Sequence, residues 1–284
     1  MIYKGAFFCD LDGTLAKNNG SISLEDKAVF EKLKDNNILR VIVTGRSPYS
    51  ADKVIDASFP IDYLVCSTGC AVFKWPEKDL VEKHGLTEKE VNVAADALRK
   101  RKIDFMVLDE VPQNHKFSAH IYNNPHPDIL RRFKIYEGFY VEKDYYSEIK
   151  NPACQLIGVT VPEKDPVEEL AEELKSLKVL KATSPLDGCS IWTEIYPKHV
   201  SKGIAAKKLC EKLNIDIEKT AGVGNDYNDI DLLETVEISC VVSNAPDIMK
   251  QKYNTVPKCG ELGVKEAAEK FISFLQTSSF PFPA

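Results

Sequence analysis

The chain has 284 residues, 44% of them hydrophobic and 28% charged, an ordinary globular composition. That length suits one large domain or two of about 100–200 residues. Its 37 basic and 43 acidic side chains leave a formal charge of −6 with no concentrated cationic run, so nucleic acid is not an expected partner. The opening apolar run is too short for a signal-peptide core and no stretch approaches about 18 consecutive apolar residues, so a cytoplasmic protein that does not enter a membrane is expected.

Residues 6–9 read as a first strand, apolar without alternation and therefore buried on both faces. The strand runs into Asp10-Leu11-Asp12-Gly13-Thr14. Two carboxylates two residues apart project to the same side of a strand, and they repel unless something positive lies between them. The plainer alternative is a polar strand end entering an Asp-Gly turn. Ser23 then caps a helix, with Asp26 as its capping partner and Ala28, Val29 and Leu33 on its apolar face. Residues 39–43 form a second strand, ending in Thr44-Gly45-Arg46, and residues 63–66 a third.

The middle of the chain changes character. Thr87 and Glu90 form a capping box before a helix that carries Val91, Ala95 and Leu98 on one face. Strands follow at 103–108, 119–122, 156–161, 179–182 and 190–196, with a charged helix over 165–177. The pattern predicts an antiparallel sheet with helices on one side. Ser201 opens another helix, with Ala205, Leu209 and Leu213 at four-residue steps, and strands at 221–223 and 238–242 complete the first set. Strands alternating with helices predict an α/β fold with a Rossmann-like parallel sheet. Residues 1–83 and 191–284 read as that core, and 84–190 as an inserted α+β domain. The tail from Ser279 to Ala284, with two prolines, is expected to lie loosely on the surface.

The eight cysteines are scattered with no C-x-x-C pair, and none of the five histidines falls in an H-E-x-x-H frame, so buried free thiols are expected rather than zinc or disulfides. Gly222-Val223-Gly224 has Tyr227 where a dinucleotide fingerprint needs its third glycine, and no G-x-x-x-x-G-K-[ST] occurs. Three core strands instead end in polar clusters: Asp10 and Asp12, Thr44 to Arg46, and Gly224-Asn225-Asp226-Tyr227-Asn228-Asp229. The carboxyl ends of strands in an open parallel sheet share one edge. Lys202 joins them from the first turn of a helix, where backbone N–H groups also favour an anion.

In these motifs and their order the chain resembles the haloacid dehalogenase superfamily. Ile42-Val43-Thr44-Gly45-Arg46, the run from Glu194 to Gly203, Val242-Ser243-Asn244-Ala245-Pro246-Asp247 and the late Gly263-Val264 narrow the resemblance to Cof-like hydrolases with a type IIB cap. The resemblance implies a Mg²⁺-dependent phosphatase of small phosphorylated metabolites, sugar phosphates foremost. It implies Asp10 as nucleophile and Asp12 as general acid and base. Leu11, Thr44, Gly45, Lys202 and Asn228 would hold the phosphate, and 84–190 would be the specificity cap, closing over the core during transfer. Metal ligation is implied for Asp10, the Asp12 carbonyl and the fourth motif. There the chain departs from the family's G-D-x-x-N-D: Asn225 stands where the metal-binding aspartate is expected. Either Asn225 takes that position, with Asp226 or Asp229 supplying charge through water, or the loop shifts and Asp226 reaches the metal. A phosphomutase and a catalytically weakened binding protein are the alternatives. Oligomeric state is not indicated.

Overall fold

The computed structural model describes residues 3–278, so the expected loose tail from Ser279 lies outside the described residues. The chain falls into two compact units. One comprises the described residues up to Gly45, Ala51–Val81 and those from Lys202 onward; the other comprises Arg46–Ser50 and Glu82–Ser201.

In chain order the first part runs β1 (Gly5–Cys9), α1 (Leu24–Asp35), β2 (Ile38–Val43), the one-turn α2 (Pro48–Ala51), β3 (Tyr63–Cys66), β4 (Ala71–Lys74) and β5 (Asp79–Lys83). The second unit then contributes α3 (Glu88–Lys100), β6 (Asp104–Leu108), β7 (Phe117–His120), α4 (Pro127–Ile135), β8 (Tyr140–Lys143), β9 (Gln155–Thr160), α5 (Val167–Glu173), β10 (Leu177–Thr183) and β11 (Ile191–Pro197). The return comprises α6 (Lys202–Leu213), β12 (Thr220–Gly224), α7 (Ile230–Thr235), β13 (Ile238–Val242), α8 (Asp247–Lys252), β14 (Asn254–Val256) and α9 (Gly263–Ser278).

The first unit is built on a sheet ordered β14-β13-β12-β1-β2-β3-β4-β5, parallel from β14 to β3. β4 turns back antiparallel to β3. Successive residues of β1 face opposite helical layers. Phe7 meets Phe30 of α1 and Phe271 of α9, each with ring centroids 6.3 Å apart. Ala6 and Phe8 join Ala205, Ala206 and Leu209 of α6 on the other face. This two-sided burial is why the core strands are apolar throughout. The chain starts at β1, winds outward to β3, and returns through β12 to wind the other way. The order therefore reverses between β1 and β12, the crevice-forming point of a doubly wound sheet.

The second unit has a sheet ordered β10-β11-β9-β6-β7-β8. Its ladders are antiparallel except for the parallel β7–β8 pair. Here the structure corrects the expectation of helices on one side. Phe105 and Val107 of β6 pack with Val91 and Leu98 of α3 and Leu170 of α5, while the alternate residues Met106 and Leu108 pack with Ile129 and Phe133 of α4. Alternate residues of a strand face opposite ways, so α4 covers the second face. The boundary also moves. β11 pairs with both β9 and β10, which groups 191–201 with the second unit although the sequence reading began the returning core at 191.

Ser23 accepts the Asp26 N–H at the start of α1, and Thr87 and Glu90 form the expected reciprocal box at α3. All eight cysteines are free, but Cys189 is exposed and Cys259 half-buried, so burial holds for six. Among the described residues no helix is long and apolar enough to cross a membrane. Replacing Thr87 by Ala removes the acceptor for the Glu90 N–H and is expected to lower stability by about 1 kcal/mol. It should shift the urea midpoint without changing the slope, and an unshifted midpoint would remove the capping box from the account.

Candidate active site

β1 delivers Asp10 to the sheet edge, where the Asp10 N–H extends the parallel ladder by donating to the Val223 carbonyl at 2.9 Å. The chain then turns tightly. Leu15 and Ala16 both donate to the Leu11 carbonyl, at 3.0 and 2.7 Å, and Gly13 donates to Ala16 at 2.9 Å. Gly13 sits at φ +74°, and a Cβ there would come within 2.6 Å of the Asn225 side chain. Both the dihedral and the close approach demand glycine. Asn244, in the loop after β13, braces this turn: its Nδ2 donates to the Gly13 carbonyl and its Oδ1 accepts from Cys259, both at 2.9 Å.

β2 ends in Thr44, which is fully buried. Its N–H donates to Val65 at 2.9 Å and its carbonyl accepts from Thr68 at 3.0 Å. Gly45 follows, and a Cβ added there would lie 3.7 Å from Thr68 Oγ1 and 3.8 Å from Asn228 Nδ2. The Thr44-Gly45 corner and Asn228 are thus neighbours although they are far apart in sequence. Thr68 completes that cluster with φ +57° and a buried side chain.

α6 begins at Lys202, and the ammonium of Lys202 links the two halves of the site. Its Nζ donates to Asp10 Oδ1 at 2.7 Å and to Asp229 Oδ1 at 2.6 Å. Lys202 is 1% exposed, Asp10 4% and Asp229 0%. The second Asp229 oxygen accepts the N–H groups of Asn225 and Asp226, at 2.8 and 3.1 Å. This folds the loop after β12 around the carboxylate. Gly224 permits it, because a Cβ there would lie 2.6 Å from Asp229. Burial alone would lower the Lys202 pKa, but the two carboxylates overcome it and hold the ammonium above its ordinary value. Burial raises the Asp10 carboxyl, and Asp229 raises it further against the opposing pull of Lys202. One ammonium serves two buried carboxylates, so the Asp10 end of the site favours additional positive charge.

Asn225 meets Asp10 from the other side. The inward atom of its carboxamide lies 3.0 Å from Asp10 Oδ2, 2.9 Å from the Asp12 carbonyl oxygen and 3.0 Å from Thr14 Oγ1. With oxygen inward, three oxygens from Asp10, Asp12 and Asn225 converge. Adjacent ligands of an octahedral Mg²⁺ at about 2.0–2.1 Å also lie about 3 Å apart, so this donor set fits a hard cation. Among the described residues no three His, Cys, Asp or Glu side chains gather as a metal site. The converging oxygens here belong to one carboxylate, one main-chain carbonyl and one carboxamide.

The Asp229 carboxylate is taken up by Lys202 and two loop amides, and Asp226 offers its N–H and carbonyl to Asp229. Among the fourth-motif candidates, Asn225 places a carboxamide atom 3.0 Å from Asp10 Oδ2. Cys9, beside Asp10, donates its thiol to the Asp10 carbonyl, and burial pushes its pKa up. In the second unit, His120 stacks on Phe105 at 4.7 Å, and burial lowers its pKa to about 4. His115 stacks on Tyr49 at 4.4 Å, and Asn123 is exposed. Arg46 donates to the Ser50 carbonyl at 3.0 Å. Sequence reasoning missed Thr14 as the Asn225 partner, Thr68 beside Gly45 and Asn244 as a brace. Thr14 and Asn244 each stood inside a motif already singled out, Asp10–Thr14 and Val242–Asp247, but neither motif says which atom the side chain meets.

A buried ammonium, carboxylates and hydroxyls at the switch point of a doubly wound parallel sheet define an α/β protein with its ligand crevice at the strand ends. The chain belongs to the haloacid dehalogenase-like hydrolases, whose family profile matches residues 7–262. It is 24% identical over 267 residues to a 5-amino-6-(5-phospho-D-ribitylamino)uracil phosphatase of Bacillus subtilis, covering 93% of this chain and 94% of that protein. It is 25% identical over 269 residues to a phosphoglycolate phosphatase of Methanobrevibacter smithii, covering 94% and 98%. The fold is shared with a subclass IIB sugar phosphatase of the same superfamily at TM-score 0.74 and 18% identity, covering 94% of this chain and 98% of that one.

Lys202→Met would leave two carboxylates buried beside an apolar chain. Breaking a buried ion pair in this way costs about 3–5 kcal/mol. Urea unfolding should show that loss, and a decrease well under about 1 kcal/mol would mean that Asp10 and Asp229 do not depend on the ammonium.

Proposed function

We propose that the protein is a Mg²⁺-dependent phosphatase of small phosphate monoesters, sugar phosphates foremost, working through an aspartyl-phosphate on Asp10. The observation that carries this reading is the joint approach of Lys202 and Asn225 to the two oxygens of one buried carboxylate, at 2.7 and 3.0 Å. The phosphatase names of the relatives agree with it.

In this reading Asp10 attacks phosphorus in line, forming a P–O bond as the ester P–O bond breaks. Asp12 gives its proton to the departing alcohol oxygen, then takes one from the water that cleaves the acyl phosphate and releases inorganic phosphate. Lys202, the Thr44 hydroxyl, the N–H groups of Leu11 and Gly45, and Asn228 hold the equatorial oxygens, where charge is spread in the transition state. Asp10, the Asp12 carbonyl and Asn225 would hold Mg²⁺, which when bound offsets the repulsion between the carboxylate and the phosphate dianion. Asp229 acts on Lys202 and the loop rather than on the cation. The second unit selects the substrate, a role assigned by family resemblance.

Phosphate release from p-nitrophenyl phosphate and a panel of phosphorylated sugars is expected only with Mg²⁺. Asp10→Asn should abolish it, and Asp12→Ala should lower kcat about 10²–10⁴-fold. A folded protein that releases phosphate from none of these would exclude the proposal, and retained ligand binding would then favour the binding-protein alternative. Because Asn225 is neutral, Asn225→Asp should lower the Mg²⁺ concentration giving half-maximal rate. Identical half-saturation in both proteins would take Asn225 out of the ligand set.

A further inference from the structure

The carboxamide of Asn225 has two orientations with the same outline and opposite chemistry. With oxygen inward it accepts from Thr14 Oγ1 at 3.0 Å, while facing the oxygens of Asp10 and Asp12 at 3.0 and 2.9 Å. Three acceptors then converge, an arrangement that a cation between them relieves. With nitrogen inward, the NH₂ group has two hydrogens and two acceptors in range, Asp10 Oδ2 and the Asp12 carbonyl, with Thr14 Oγ1 also at 3.0 Å. Asn225 thus offers either a ligand oxygen or a pair of donors to the same two oxygens. An aspartate at this position could supply no such donors.

We propose that Asn225 is a two-state latch: nitrogen inward it closes the pair of metal-binding oxygens in the cation-free protein, and it turns about its terminal torsion to oxygen inward when a divalent cation binds. The inference rests on the proposed cation position at Asp10, but not on turnover. It leaves the cation-free site closed by internal hydrogen bonds, and each cation must displace two of them to enter. The backbone supports the exchange. Asn225 N–H stays fixed on Asp229 and Gly13 lies against the amide, so the turn needs no movement of the loop. Thr14 is the selector. Its hydroxyl donates to an inward oxygen and is dispensable to an inward nitrogen, whose hydrogens are already used.

The test uses the full chain, labelled with ¹⁵N and titrated with Mg²⁺ or treated with a chelator. The Asn225 side-chain NH₂ resonances, identified by their absence from Asn225→Asp, should be shifted and slowly exchanging in chelator and should move on adding Mg²⁺. Thermal melts supply the second readout. Thr14→Val should leave the melting temperature in chelator close to wild type, yet raise the Mg²⁺ concentration needed for stabilisation several-fold. Asn225→Asp should melt lower than wild type in chelator and gain several-fold more from Mg²⁺. An Asn225 amide unmoved by Mg²⁺ that supports turnover would overturn the latch and leave the phosphatase reading intact. A Thr14→Val protein destabilised in chelator would also overturn it, because an inward oxygen would have lost its donor. A moving amide in a protein without turnover would overturn only the phosphatase reading.

Discussion

The ammonium of Lys202, held between Asp10 and Asp229, is the constraint on which the rest of the site depends. Its partners lie 192 and 27 residues away along the chain. A buried ion pair is weak evidence for stability, because desolvation offsets much of the attraction, but a single missing partner leaves an uncompensated buried charge. The trio therefore acts as a specification. α6 must begin where Lys202 can reach the sheet edge, β1 must end at Asp10, and the loop after β12 must fold back on Asp229. Gly224 closes β12 because the carboxylate occupies the space a side chain would need.

Around this trio the surrounding chain is held by main-chain hydrogen bonds. The Asp10–Ala16 turn closes on its own carbonyls, Asn244 braces it from the loop after β13, and Thr68 donates to the Thr44 carbonyl. Asp26 extends the same economy to the helical layer: buried at the start of α1, it contacts Ser23 and accepts the Lys265 N–H in the first turn of α9. Groups so fixed need little reorganisation when charge develops nearby, which is the condition for effective electrostatic stabilisation. Asn225 is the member of this set whose side chain retains two ways to satisfy its neighbours.

The second unit was less legible than the first. Its capping box at Thr87 could be read from residue types alone, but α4 and β8 lay hidden in a polar, aromatic stretch. α4 starts with Pro127 behind a histidine cap, a weaker signal than Ser or Thr. Arg132, buried among Phe117, Tyr136 and Trp192, interrupts the apolar pattern that would have marked its inner face. The strand at 190–196 reads with the antiparallel set, yet the boundary at 191 is drawn through it for a different reason. A strand apolar on both faces fits either sheet, and only its pairing with β9 and β10 decides which.

The sequence alone determined the doubly wound sheet, because buried strands and amphipathic helices carry different periods, and it marked the strand ends where charged residues stop an apolar run. It also showed, at Asn225, the residue that departs from the family motif. Tertiary structure alone decided what that asparagine meets, which face each helix covers and which carboxylate Lys202 shares with Asp10. Those are questions of distance between remote segments, and residue type and spacing along a chain do not encode a hydrogen-bond partner two hundred residues away.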